Sequence, residues 1–139
     1  MFKVLISDSM STVAQEIFKK QNIETEIKTG LSEKEIINII SEYEALIVRS
    51  ATKVTKNIII AGKKLKVIGR AGAGVDNIDV VTAKEKNILV MNTPGGNTNA
   101  TAEHTLALIL SLLRKVPYSN DTTHKGKWEK KNIKGSELS

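Results

Sequence analysis

The chain contains no cysteine, which rules out a disulfide framework, a thiolate nucleophile and a zinc–cysteine site. It has only two histidines, with no carboxylates at ligand spacing around them, and this argues against a metal centre. There is no run of 18 apolar residues, so no segment has the length and character of a membrane-spanning helix. The start, MFKVLISDSM, lacks the charged leader, apolar stretch and small-residue cleavage site of a secretory signal. Together these absences predict a cytoplasmic protein with no membrane partner, whose chemistry comes from other groups. What is present, 139 residues at 40% hydrophobic and 26% charged, suits one compact globular unit with a real core.

The formal charge of +6 raises the question of nucleic acid, and its distribution answers it. Seven basic residues against Asp121, Glu129 and Glu137 put four of the six net charges between residues 114 and 139. Lys125, Lys127, Lys130, Lys131 and Lys134 surround one aromatic, Trp128, in no recognisable reading motif. A solvated segment that packs on other structure is the expectation, with no nucleic-acid partner.

Along the chain, KVLIS at 3–7 is a short apolar run followed by VAQEIFKKQ at helical spacing. ETEIK at 24–28 repeats the pattern. Ser32, three residues before Glu35, then gives a capping-box signature ahead of EKEIINIISEY. ALIVR at 45–49, KVIGR at 66–70 and ILVMN at 88–92 read as further strands, with helices expected at 55–61 and 78–86. Five strands alternating with helices, most without polar alternation, predict a parallel α/β sheet covered on both faces, a flavodoxin-like or Rossmann-like layer sandwich. TPGGN at 93–97 must be a loop. The longest helix is predicted over 98–116, apolar almost all round and ended by Pro117, with a polar remainder. A boundary is therefore expected near 93–97, with a complete small domain over 1–96 and the opening of an unfinished one over 97–139.

In an open parallel sheet, ligands bind beyond the carboxyl ends of the strands, where loops and helix N-termini present amide groups. These ends read Ser7-Asp8-Ser9, Arg49-Ser50-Ala51-Thr52, Arg70-Ala71-Gly72-Ala73-Gly74 and Asn92 to Asn97. Lysine outnumbers arginine eighteen to three, yet two of the three arginines end neighbouring strands. That placement suggests a planar fork gripping a carboxylate or phosphate, the alternative being that both pair with surface carboxylates. Gly69, Gly72 and Gly74 either let successive amides turn toward an anion or make a tight structural turn. Their spacing is not the dinucleotide fingerprint G-x-G-x-x-G, no Walker sequence occurs, and the strand some twenty residues on ends in Asn92 where a ribose-binding acid would be required. His104 reads as structural, and His124 has no role. Asp8 does not suit a phosphoacceptor of the response-regulator type, because the third strand ends in Arg49 and not in aspartate.

LIVRSATKVT at 46–55, IGRAGAGVDNID at 68–79 and ILVMNTPGGNTNATAEHT at 88–105 resemble, in order and spacing, signature segments of the D-isomer specific 2-hydroxyacid dehydrogenases, and of their 3-phosphoglycerate branch in particular. GKWEKKNIKGSEL at 126–138 resembles the stretch just before that family's glycine-rich cofactor loop. The resemblance implies NAD-dependent oxidation of 3-phosphoglycerate to 3-phosphohydroxypyruvate, a step toward serine. On it, residues 1–96 would be the substrate-binding domain and 97–139 the start of the NAD-binding domain. Arg49 and Ser50 would meet the substrate, a small phosphorylated 2-hydroxy acid, and Arg70 would hold its anionic end. Amides around Gly72, Ala73 and Gly74 would receive the carboxylate, and Ala73 and Asn97 would contact the cofactor. Ala73 departs from the threonine of many relatives, so its contact would be through backbone.

The same resemblance puts the nucleotide fingerprint, the catalytic arginine and the glutamate–histidine pair beyond Ser139, so the chain alone is expected to be inactive. It also implies homo-oligomerisation through the helix region 97–116. The competing expectation from another class is a non-catalytic, regulatory small-anion-binding module of flavodoxin-like fold.

Overall fold

The structure is a computed structural model and describes residues 2–138. The chain divides into two compact units, residues 1–96 and 97–139.

In the first unit five short strands alternate with four helices. They are β1 (Lys3–Ile6), α1 (Thr12–Lys20), β2 (Glu24–Ile27), α2 (Glu33–Ile39), β3 (Ala45–Val48), α3 (Lys56–Ala61), β4 (Val67–Arg70), α4 (Val80–Glu85) and β5 (Leu89–Met91), with a 3-10 turn over Ile40–Glu42. All pairings are parallel, in the order β2-β1-β3-β4-β5. This is the flavodoxin-like order, one of the two sandwiches the sequence pattern left open.

The apolar runs are continuous because successive side chains enter opposite layers. Leu5, Leu46, Val48 and Ile68 face the layer built by α2, α3 and α4, where Ile36, Ile40, Tyr43, Ile58, Ile59 and Ala83 join them. Val4, Ile6 and Ala45 face the other layer, against Phe18 of α1 with Met10 and Ile23. A side chain the size of Leu46, fully buried, contributes about 1.5–3 kcal/mol. Among the described residues of the first unit, α1 is the one helix packed on this second face, and an apolar groove of about 420 Å³ runs over the β3–β4–β5 side, floored by Ile47, Val67 and Gly69.

The helices of the first unit begin where side chains satisfy their first amides. Ser32 Oγ accepts from Glu35 N at 3.4 Å while Glu35 Oε2 accepts from Ser32 N at 2.7 Å, the capping box read in the sequence. Thr55 caps α3, and Asp79 Oδ1 caps α4 through Thr82 N at 2.9 Å.

The second unit contains α5 (Thr98–Leu113) and α6 (Val116–His124). The single helix expected over 98–116 is therefore shorter, and Pro117 does not end it. The break comes at Arg114 and Lys115, where Lys115 adopts a left-handed φ of 52°. Pro117 lies in the first turn of a new helix, where a missing N–H costs nothing because that amide has no helical partner. α6 takes Val116 from the expected long helix and, after Pro117, continues through Tyr118–His124, which read as polar remainder. Its Thr122 hydroxyl bonds back to Tyr118 O at 3.1 Å, and Tyr118 Oη donates to Glu129 Oε2 at 2.6 Å.

Candidate functional site

The sheet order creates a crevice between β1 and β3, because the chain moves outward in one direction through β2 and in the other through β4 and β5. The carboxyl ends of these two strands carry Asp8 and the loop Arg49-Ser50-Ala51-Thr52.

Asp8 is 5% exposed and fills the crevice with its carboxylate. Oδ2 accepts from the amides of Arg49 (2.6 Å), Ala51 (3.2 Å) and Thr52 (3.2 Å), and Oδ1 from the Thr52 hydroxyl (2.6 Å). Burial pulls the Asp8 pKa up, but hydrogen bonds from Thr52, Arg49 and Ala51 outweigh it and hold the group below the usual aspartate value. The Thr52 hydroxyl is itself 3.1 Å from Ser7 Oγ.

The carbonyls of the same loop are held from the opposite side. Asn77 Nδ2 donates at 2.7 Å to both Arg49 O and Thr52 O. Arg70 Nε lies 3.3 Å from Arg49 O, and Arg70 Nη1 bonds Gly74 O and stands 3.6 Å from the exposed Asp76 carboxylate. The Arg70 side chain is only 12% exposed. It folds onto its own loop, tying the end of β4 to the end of β3. Asn92 Nδ2 anchors Ala73 O at 2.6 Å, and Thr93 N bonds Gly72 O at 3.0 Å, so the end of β5 is joined to the same loop.

Gly72 and Gly74 are not held in a left-handed conformation; each lies close to the Arg70 side chain. A Cβ on Gly72 would stand 3.3 Å from Arg70 Nη1, and one on Gly74 3.2 Å from the same atom and 2.9 Å from Asp76 Oδ1. Gly69 meets Ile47 Cδ1 in the same way, at 2.8 Å, beneath the loop.

Of the expected site residues, Arg49, Ser50, Arg70, Gly72, Ala73 and Gly74 come together at the ends of β3 and β4. Arg49 and Ser50 are exposed, with Arg49 Nη1 donating to Ser9 O at 3.0 Å. The Gly72 amide turns inward to Arg70 O, whereas the amides of Ser50, Ala73 and Gly74 have no hydrogen bond among the described residues. Asn97 belongs to the second unit and is the N-cap of α5, its side chain making no capping bond. His104 is exposed on α5, and His124 Nδ1 is 2.9 Å from Asn120 O within α6.

Asp8, Thr52 and Asn77 are the residues that sequence reasoning did not assign. The signal for Asp8 was its position, an acid ending a buried strand beside hydroxyl-bearing residues. A carboxylate there stays charged only if several donors converge on it. Nothing in the sequence pointed to Asn77, whose partners lie 25 and 28 residues away.

Among the described residues no helix is long and apolar enough to cross a membrane. No group of three acidic or histidine side chains there could hold a metal ion.

Comparison with known proteins gives the same architecture. The chain is 53% identical over 138 residues to a D-3-phosphoglycerate dehydrogenase of Synechocystis sp., covering 99% of this chain and 25% of that protein. The crystal structure of the TT0316 protein from Thermus thermophilus matches with a TM-score of 0.87 at 29% identity, covering 99% of this chain and 46% of the other. The NAD+-bound 3-phosphoglycerate dehydrogenase of Entamoeba histolytica matches with a TM-score of 0.72 at 36% identity, covering 82% and 40%. The chain spans about a quarter of the length of the curated relatives it matches. Residues 4–133 match the catalytic domain of the D-isomer specific 2-hydroxyacid dehydrogenases, and the chain belongs to that family.

Proposed function

We propose that this chain forms the substrate-binding wall of an NAD-dependent dehydrogenase that oxidises 3-phosphoglycerate. The observation that supports the reading is the meeting of Arg49, Ser50 and the amides of Ala73 and Gly74 at adjacent strand ends, with Arg70 bracing them from behind. A 2-hydroxy acid carrying a phosphate has two anionic ends, and the site offers two kinds of anion partner. Arg49 supplies a planar charged fork beside the Ser50 amide and hydroxyl. The Ala73 and Gly74 amides supply neutral donors pre-aimed by a rigid loop, with the Arg70 charge close beneath them.

Of the residues of the first unit, Ala73 is proposed to meet the edge of a nicotinamide cofactor. The Ala73 side chain has no polar atom and its carbonyl is taken by Asn92, so the amide is the group left for contact. Asn97, uncommitted at the start of α5, is the other residue proposed to hold it. Such a cofactor, when bound, would supply the acceptor for the hydride of the hydroxyl-bearing carbon. What these residues contribute is orientation of the substrate, and positional precision of this kind is worth several kcal/mol of barrier, about 7 or more for a well-aligned pair. The roles proposed for these residues are binding and orientation, so the chain is proposed to bind its substrate without turning it over.

Titrating 3-phosphoglycerate into the 15N-labelled chain tests the reading. The expected result is a saturable shift of the Ser50, Ala73 and Gly74 amides, weakened at least about tenfold, or 1.4 kcal/mol, in an Arg49→Ala variant. Equal binding by both proteins overturns the role of Arg49.

A further inference from the structure

Asp8 accepts from every amide of the 49–52 loop except that of Ser50. A buried anion thus decides which donor of that loop is left for a ligand. The amides of Arg49, Ala51 and Thr52 converge on one carboxylate oxygen. The second oxygen is taken by the Thr52 hydroxyl, and the Asn77 amide closes the loop from its carbonyl side at Arg49 and Thr52. The Arg49 backbone is therefore gripped at its N–H by Asp8 and at its C=O by Asn77, directly at the root of the side chain proposed to meet the substrate. We propose that Asp8 is a positioning residue, holding the 49–52 loop so that the Arg49 guanidinium and the Ser50 amide face the substrate anion, with Asn77 completing the clamp.

The physical argument is one of alternatives. Four consecutive loop residues carrying unpaired amides at a strand end form a concavity that would itself bind an anion. With Asp8 in it, an incoming carboxylate or phosphate is excluded from the crevice between β1 and β3 by like charge. It is left with Ser50 and, beyond Arg70, with Ala73 and Gly74. The clamp also fixes the backbone of Arg49 before a ligand arrives, so the ordering cost is met in folding and not in binding. Neither residue touches the substrate on this account. The role rests on the site reading given above and acts through Arg49 and Ser50.

A double-mutant cycle separates positioning from general structural support. Dissociation constants for 3-phosphoglycerate are measured by amide shift in the wild-type chain, Asp8→Asn, Arg49→Ala and the double variant, with thermal unfolding run on each. Asp8→Asn keeps the shape but places an NH2 or a single oxygen against three amides. The expected result is at least about tenfold weaker binding by Asp8→Asn, with most of that loss absent once Arg49 is alanine. The Arg49, Ala51 and Thr52 amide resonances are expected to move in Asp8→Asn without ligand, reporting the opened clamp directly. Asn77→Ala, which loosens the loop from its other side, is expected to reproduce the pattern and serves if Asp8→Asn does not fold. Unchanged affinity in a folded clamp variant, or equal losses with and without Arg49, overturns the positioning role while leaving the site reading intact. A wild-type chain that binds no 3-phosphoglycerate overturns the site reading and this role with it.

Discussion

The Arg70 guanidinium is packed against Gly74. Nη1 donates to the Gly74 carbonyl and lies 3.2 Å from the position a Cβ on residue 74 would take. The arginine expected to point at a ligand is thereby also the brace of the loop that carries the free amides, and the glycine is what lets it approach.

Substituting Gly74 by alanine would test this coupling. Asp76 is exposed and can swing away from the new methyl, whereas the Arg70 side chain, mostly buried and bonded to two carbonyls, has little room to yield. Gly74→Ala is expected to weaken 3-phosphoglycerate binding by about threefold to tenfold, while changing stability by under about 1 kcal/mol. An affinity equal to wild type would mean that the loop position does not depend on this contact.

Acid stability should depend visibly on Glu26. Hydrogen bonds from Lys28, Tyr43 and Lys3 pull its carboxyl from the ordinary 4.5 down to about 2. The two lysine nitrogens stand at 2.8 and 3.1 Å. A carboxylate with a depressed pKa adds stability above its unfolded value and loses it as pH falls through the folded one. The stability difference between wild type and Glu26→Gln is expected to be constant above pH 4.5 and to shrink as pH falls toward about 2, as measured by urea unfolding. A difference independent of pH would show that the network contributes nothing through charge.

Self-association is predicted from α5. Leu106, Leu108, Ile109, Leu110 and Leu112 are each 40% or more exposed, on a helix with no buried residue. Clustered apolar exposure of this kind favours association. Light scattering is expected to give a mass above 15.2 kDa that rises with concentration and returns to monomer in a Leu108→Lys, Leu112→Glu variant. A monomer at high concentration in the wild-type chain would refute the prediction.

Much of the first unit could be read directly. The five strands, the capping box that opens α2 and the parallel arrangement follow from local signals, because runs such as ALIV and VLI are apolar on both faces only if both faces are covered. Ser32, read as a cap in the sequence, and Thr55 and Asp79, which the structure adds, each meet an amide three residues on, a relationship set by adjacent sequence. The helix beyond Asn97 was harder to delimit. Pro117 is compatible with ending one helix or opening another, and the left-handed turn at Lys115 leaves no mark in residue type.

The candidate site divides along the same line. Arginine at two neighbouring strand ends, in a chain that prefers lysine, and glycine at 69, 72 and 74 are visible in the linear order. What the tertiary structure alone decided is how those groups are used. It turned the Arg70 fork onto the carbonyls of Arg49 and Gly74, and closed the β1–β3 crevice with the carboxylate of Asp8. It also bound the loop from behind with Asn77. The reason is that local patterns encode which backbone forms, whereas these bonds, the Arg70–Gly74 contact excepted, join residues 21 to 44 positions apart. Such partners are set only when parallel strands bring their carboxyl ends to one edge of the sheet.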